Sequence, residues 1–168
     1  AYTLKALNAL WKLNFSQKKL ETIGVKLGAD VPFFIRGNFQ LAEGIGEKLT
    51  PQNNNILQGL HFLLVIPPFQ ISTLEAYRLL NKPLRPVDNP SKFAPVSKPV
   101  SWHLFDNDFE KVLWKAYPEI CVIKENLQNA GALYAGLSGS GSTVFGVFNS
   151  LQGADSAREE FSHYQTFL

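Results

Sequence analysis

A-L-Y-A-G-L-S-G-S-G-S-T-V-F-G-V-F, from Ala132 to Phe148, holds two apolar runs on either side of a glycine-serine turn. Ala132 to Leu137 and Thr143 to Phe148 are two apolar, extended runs, and the small residues between them predict a pair of antiparallel strands. Outward from this hairpin, Pro118 to Asn129 predicts a helix with proline in its first turn, and Asp106 to Lys115 another. Asp155 to Tyr164 predicts a final amphipathic helix. Further upstream, His61 to Ile66 is a buried strand stopped by Pro67-Pro68, and Ser72 or Thr73 caps a helix that runs through Leu80. The order β-α-(α)-α-β-β-α predicts an α+β class: an antiparallel sheet in a split β-α-β arrangement, covered by helices.

The N-terminal third has a different texture. Ala1 to Leu13 carries Leu4, Leu7, Leu10, Trp11 and Leu13 at near-helical spacing. It has no capping residue before it, and the sequence has no methionine, so a fragment or processed chain is expected. Ser16 caps a second predicted helix over Gln17 to Leu27, ended by Gly28. Val31 is expected to be extended because Pro32 follows it. Phe33 to Ile35 then predicts a short strand, with a turn at Arg36-Gly37-Asn38 and a second strand from Phe39 to Glu43. Gly44-Ile45-Gly46 is a tight turn. The polar run Gln52 to Asn55 is the best domain boundary, dividing 1–55 from 56–168. Asn81 to Ser101 holds five of the ten prolines and predicts a long loop.

Composition narrows the function. The 168 residues suffice for one solid core and at most two small domains, and the apolar fraction of 45% is ordinary for a globular chain. A net charge of +2, with no Lys/Arg block, argues against a nucleic-acid surface and for a small-molecule partner. The longest apolar stretch, Phe62 to Pro68, is too short to span a bilayer. The single cysteine, Cys121, permits neither an intrachain disulfide nor a cysteine metal site, and within a predicted amphipathic helix it is expected to be a core residue rather than a nucleophile. His61, His103 and His163 have no metal-like spacing, and Ser138 has no partners that would make a hydrolase triad.

Three features could carry chemistry. Asp30, in L-G-A-D-V-P-F-F, lies at an element junction among apolar neighbours and is expected to be half-buried. It could take a proton from a substrate hydroxyl, or it could simply cap a turn or pair with a surface cation. The run Gly139-Ser140-Gly141 could offer backbone N–H groups to an anion, or serve only as a hairpin connection. It is neither a Walker loop nor a dinucleotide fingerprint, because it precedes a strand rather than a helix. Thr73 and Tyr77, four apart on one helix face, could both reach a ligand, although a capping box of Ser72 with Glu75 explains the same segment without one.

The order L-G-A-D-V-P-F-F, A-E-G-I-G-E-K-L (Ala42 to Leu49), P-P-F-Q-I-S-T-L-E-A-Y (Pro67 to Tyr77), N-D-F-E (Asn107 to Glu110) and L-S-G-S-G-S-T-V-F (Leu137 to Phe145) resembles the GHMP kinase superfamily. Within it, the branch that phosphorylates a cytidine diphosphate-linked methylerythritol in the non-mevalonate isoprenoid pathway is most similar. The resemblance implies a two-domain kinase fold whose C-terminal part is ferredoxin-like. Residues 1–55 would finish the ATP-binding domain, and 56–168 would form the C-terminal domain. It implies ATP as phosphoryl donor with Mg2+, no membrane or nucleic-acid partner, room for a homodimer, and a bacterial cytoplasmic or plastid setting. It assigns Asp30 as the catalytic aspartate that takes or orients the hydroxyl proton, Thr73 and Tyr77 to the substrate pocket, and Gly139, Ser140 and Gly141 to support of the nucleotide loop. A homoserine, mevalonate or sugar kinase of the same superfamily, or a non-catalytic module retaining the fold, are the alternatives. The family's glycine-serine phosphate loop and its catalytic lysine have no counterpart in this sequence, so the polypeptide alone is expected to be inactive. Ile45 stands where relatives often carry a basic residue, and Leu137 where a methionine is expected.

Overall fold

A computed structural model describes residues 1–44, 46–52, 54–81 and 100–168. These form two compact units, Ala1–Ile56 and Leu57–Leu168. Ile45 and nearly all of the expected proline-rich loop lie outside the described residues.

The first unit contains helices α1 (Tyr2–Leu10), α2 (Gln17–Val25) and α3 (Val31–Arg36), then a two-stranded antiparallel ribbon of β1 (Gln40–Glu43) and β2 (Lys48–Pro51). Ser16 caps α2 as its sequence requires, its hydroxyl accepting the Lys19 N–H. The segment 31–36 departs from expectation. Val31 is helical rather than extended, and Phe33 to Ile35 forms helix rather than strand. Proline in a first helical turn loses no hydrogen bond, because N–H groups there have no intrahelical acceptor. Packing does the rest: Ile35 and Pro32 are buried, and α3 lies so close to α2 that a Cβ on Gly24 would sit 2.9 Å from both Ile35 Cδ1 and Val31 Cγ1. Local β preference of Phe and Ile yields to that burial. Arg36 ties the corner together. Its guanidinium donates to both carboxylate oxygens of Glu21, at 2.9 and 2.6 Å, and to the Leu49 carbonyl on β2.

The second unit is built on β3 (His61–Ile66), β4 (Tyr134–Leu137), β5 (Val144–Phe148) and β6 (Gln165–Phe167), in the spatial order β4-β5-β3-β6, with all neighbours antiparallel. Helices α4 (Thr73–Leu80), α5 (Glu110–Ala116) and α6 (Pro118–Asn129) fall between β3 and β4, and α7 (Leu151–Glu160) between β5 and β6. That order and these crossovers are the ferredoxin-like arrangement expected from the sequence. The final helix lies four residues earlier than its pattern suggested: it runs from Leu151 to Glu160, and Gln165–Phe167 returns as an edge strand on β3. Likewise α5 begins four residues later than predicted, after a short 3-10 turn at Trp102–Phe105. Leu63, Val65, Val144 and Phe148 from the sheet meet Leu113, Ile120, Ile123, Leu127, Ala154, Ala157 and Phe161 from the helices in one apolar core. Each large side chain so buried stabilises the unit by roughly 1.5–3 kcal/mol relative to exposure.

Candidate functional site

Asp30 belongs to the first unit and the other predicted site residues to the second, so each group is described within its own unit. Asp30 is the residue that leads into α3, with helical backbone angles of φ −84° and ψ −11°. Its carboxylate makes no capping bond and is exposed, not half-buried as the apolar neighbours suggested. The reason is local: Pro32 and Ile35 turn inward on the helix that follows, which leaves the residue before it at the surface. The glycine turn between β1 and β2 backs onto this junction. Gly46 adopts φ +113°, and a Cβ there would lie 3.3 Å from both Asp30 Oδ1 and the Ala29 carbonyl. Gly46 thus approaches Asp30 closely enough that only glycine fits there without displacement.

In the second unit the structure brings together most of what the sequence singled out. Ser72 caps α4 by accepting the Glu75 N–H, so the first helical residue, Thr73, is held at the start of the helix. The Thr73 hydroxyl lies 3.1 Å from the Ser140 hydroxyl, joining α4 to the glycine turn across 67 residues of sequence. Tyr77, one helical turn on, is 55% exposed and stands edge-on to Phe109 with ring centroids 5.0 Å apart. The ring is thus braced by Phe109 while more than half of the residue remains exposed. The Glu75 carboxylate accepts the Tyr117 hydroxyl at 2.6 Å, which pins α4 to the α5–α6 corner. That bond holds the Tyr117 proton and raises its pKa above the ordinary tyrosine value. Phe69 stacks on the same ring, and its carbonyl accepts the Ser142 hydroxyl at 2.7 Å.

The turn itself is a compact loop. The Ser138 N–H donates to the Thr143 carbonyl and the Gly141 N–H to the Ser138 carbonyl. Gly139 and Gly141 have φ of +58° and +92°, angles that favour glycine. A Cβ on Gly141 would also press to 3.2 Å of Ile71 Cδ1. Gly141, Ser142 and Thr143 line a cleft of about 530 Å³ together with Ile66–Ile71 and Gln165.

Several residues that sequence reasoning did not select for chemistry support this loop. Asn107 donates to the Leu137 and Gly139 carbonyls. Glu110, only 5% exposed, accepts the Leu137 N–H at 2.9 Å and pairs with Lys124 at 2.6 Å. The Lys124 ammonium also lies over the Trp114 ring. Tyr134, whose hydroxyl donates to the Phe105 carbonyl, has its pKa pushed up to about 12, first by burial and then by the Glu110 and Asp106 charges. The run N-D-F-E was the available signal for the first two of these residues. Among the described residues no group of three or more His, Cys, Asp and Glu side chains could by itself hold a metal ion, and no helix is long and apolar enough to cross a membrane.

Comparison with known proteins agrees with this architecture. A family profile described as GHMP kinases C terminal matches residues 93–165. Proteins named 4-diphosphocytidyl-2-C-methyl-D-erythritol kinase match almost the whole chain. The one from Chlorobium phaeobacteroides is 39% identical over 163 residues, covering 94% of this chain and 55% of its own length. The one from Alkaliphilus oremlandii is 41% identical over 168 residues, covering 96% and 57%. The chain thus spans a little over half the length of these curated relatives. A crystal structure of 4-(cytidine 5'-diphospho)-2C-methyl-D-erythritol kinase superposes with a TM-score of 0.70 at 24% identity, over 96% of this chain and 59% of that one. A homoserine kinase from Cytophaga hutchinsonii superposes at 0.69 with 17% identity, over the same shares of each chain. At these identities the two structures speak for the fold alone.

Proposed function

We propose that this chain forms part of a small-molecule kinase of the GHMP family that transfers the γ-phosphoryl group of ATP to the 2-hydroxyl of 4-diphosphocytidyl-2-C-methyl-D-erythritol. The observation that carries this reading is identity of 39–41% over 94–96% of the chain with relatives of that name, a span that includes both units.

In this reading residues 1–55 complete the ATP-binding domain and 56–168 form the domain on the substrate side. Asp30 accepts or orients the proton of the attacking hydroxyl. That oxygen bonds to the γ-phosphorus, the bond to the β–γ bridging oxygen breaks, and ADP leaves. Asp30's exposure within its own unit suits a carboxylate that must meet a substrate, and the glycine at position 46 keeps side chains off it. Thr73 and Tyr77 contact the acceptor, with the solvent-facing ring of Tyr77 offering a stacking surface for a flat base. Gly139, Ser140 and Gly141 support the nucleotide's phosphate cradle. Phosphoryl transfer asks mainly for positioning and charge stabilisation, which such groups supply. Mg2+ would arrive with ATP and offset phosphate charge; the described residues offer it no cluster of their own, and no step here is assigned to it.

A substrate panel on the full-length protein tests the proposal. ADP release should require the cytidine-linked alcohol. Turnover of homoserine, mevalonate or a sugar instead would move the protein elsewhere in the family, and no turnover of any alcohol would leave a binding module.

A further inference from the structure

The proposed kinase reading uses the glycine turn but does not say what fixes its shape. Four bonds bear on that question. Asn107 Nδ2 donates to the Leu137 carbonyl at 3.0 Å and to the Gly139 carbonyl at 2.8 Å. Asn107 Oδ1 accepts the Phe109 N–H at 3.0 Å. Glu110 Oε1 accepts the Leu137 N–H at 2.9 Å. The amide orientation of Asn107 follows from its partners, since two carbonyls need a donor and an N–H needs an acceptor. Both amide hydrogens are used, one on the last residue of β4 and one on the turn that follows.

The consequence reaches the next peptide. In a trans peptide the C=O and the following N–H point in opposite directions. Holding the Gly139 carbonyl toward Asn107 therefore aims the Ser140 N–H away from it. Among the described residues no backbone carbonyl accepts that N–H. The Ser140 hydroxyl is meanwhile occupied with Thr73. Glu110 in turn is held from behind by Lys124 at 2.6 Å. One short segment, Asn107 to Glu110, thus grips the N–H and C=O of Leu137 and the C=O of Gly139.

Resting on the kinase reading above, we infer that Asn107 is a positioning residue for phosphoryl transfer: together with Glu110 it holds the Gly139–Ser140 peptide with the Ser140 N–H turned away from Asn107 and open to an anionic ligand. Asn107 does not touch substrate. It acts through the turn, and its effect is expected in kcat rather than in affinity for the acceptor alcohol.

The test is Asn107→Asp, which keeps the shape and replaces two donors with oxygen facing two carbonyls. Two readouts are taken. The first is amide hydrogen exchange by NMR at Ser138 and Gly141, whose N–H groups are bonded within the turn. It should accelerate by about tenfold or more, while amides of β3 and β6 keep their rates. The second is steady-state kinetics of the full-length kinase. There kcat should fall by about tenfold or more, with KM for the cytidine-linked alcohol within about twofold of the parent. If Asn107→Asp does not fold, Asn107→Ala removes the donors without adding charge, and the same two readouts apply. Unchanged exchange in the turn overturns the clamp. Accelerated exchange with unchanged kcat overturns the positioning role. A parent enzyme without alcohol-dependent turnover defeats the kinase reading instead, and the exchange experiment reports on the clamp regardless.

Discussion

Lys124→Met removes the ammonium from the buried pair behind the glycine turn and leaves most of the side chain's apolar stem. In the parent, Lys124 Nζ sits 2.6 Å from Glu110 Oε2, and the two side chains are 15% and 7% exposed. Removing one member of such a pair strands the other charge, which ordinarily costs roughly 3–5 kcal/mol. Glu110 would still accept the Leu137 N–H, a bond to a charged acceptor that offsets part of the loss. The low end, about 3 kcal/mol, is therefore expected. Guanidinium unfolding followed by tryptophan fluorescence reads this directly, because Trp114 lies against the altered group, its ring 5.3 Å from Nζ. With a slope of about 3 kcal/mol per molar for a unit of this size, the midpoint should fall by about 1 M. Adding Glu110→Gln to Lys124→Met removes the stranded charge and should recover at least a third of the loss. A destabilisation below about 1 kcal/mol for Lys124→Met would refute the reasoning, since it would mean that the carboxylate is solvated without its partner.

Two further substitutions probe the first unit. Glu21→Gln breaks the two-pronged bond to Arg36, which holds the Glu21 carboxylate below its ordinary pKa of 4.5. A carboxylate whose folded pKa is depressed contributes stability above its unfolded value and loses it as pH falls through the folded one. The variant should therefore unfold about 1 kcal/mol more easily at pH 7, and the gap should close on acidification below about pH 4, as seen in paired denaturation curves. Gly24→Ala gains about 1 kcal/mol of helix propensity but drives a methyl group to 2.9 Å from Ile35 Cδ1 and Val31 Cγ1. Overpacking of that kind ordinarily costs about 1–3 kcal/mol, so a lowered melting temperature is expected; a raised one would show that α3 shifts freely away from α2.

Much of this architecture was legible where a local signal and the tertiary structure agree. Ser16 and Ser72 are caps in sequence and in space, His61–Ile66 is an apolar strand between breakers, and the two runs flanking Ser138–Ser142 pair as read. The misreading at 31–36 came from taking Phe-Phe-Ile as a strand and the residue before Pro32 as extended. The close approach at Gly24, which decides the matter, lies several residues away on another helix. β6 escaped because three residues at an edge carry too short a pattern to distinguish them from the end of a helix.

The candidate site divides in the same way. Thr73, Tyr77 and the glycine turn could be named from spacing and resemblance. That Thr73 meets Ser140 could not, because 67 residues separate them. Asn107 and Glu110 act on backbone groups 27 to 32 residues away, and a bond to a distant main chain leaves no trace in side-chain pattern. Asp30 was found by its motif, but its exposure was misjudged from apolar neighbours that the helix turns inward.

The central claim is that Asp30 handles the proton of an attacking alcohol. Initial rates of ADP formation by the full-length protein, with ATP and the cytidine-linked alcohol both saturating, test it most directly when Asp30→Asn is set beside the parent. For Asp30→Asn, kcat should fall by about a hundredfold or more, with KM for the alcohol little changed. A kcat for Asp30→Asn equal to that of the parent would contradict it.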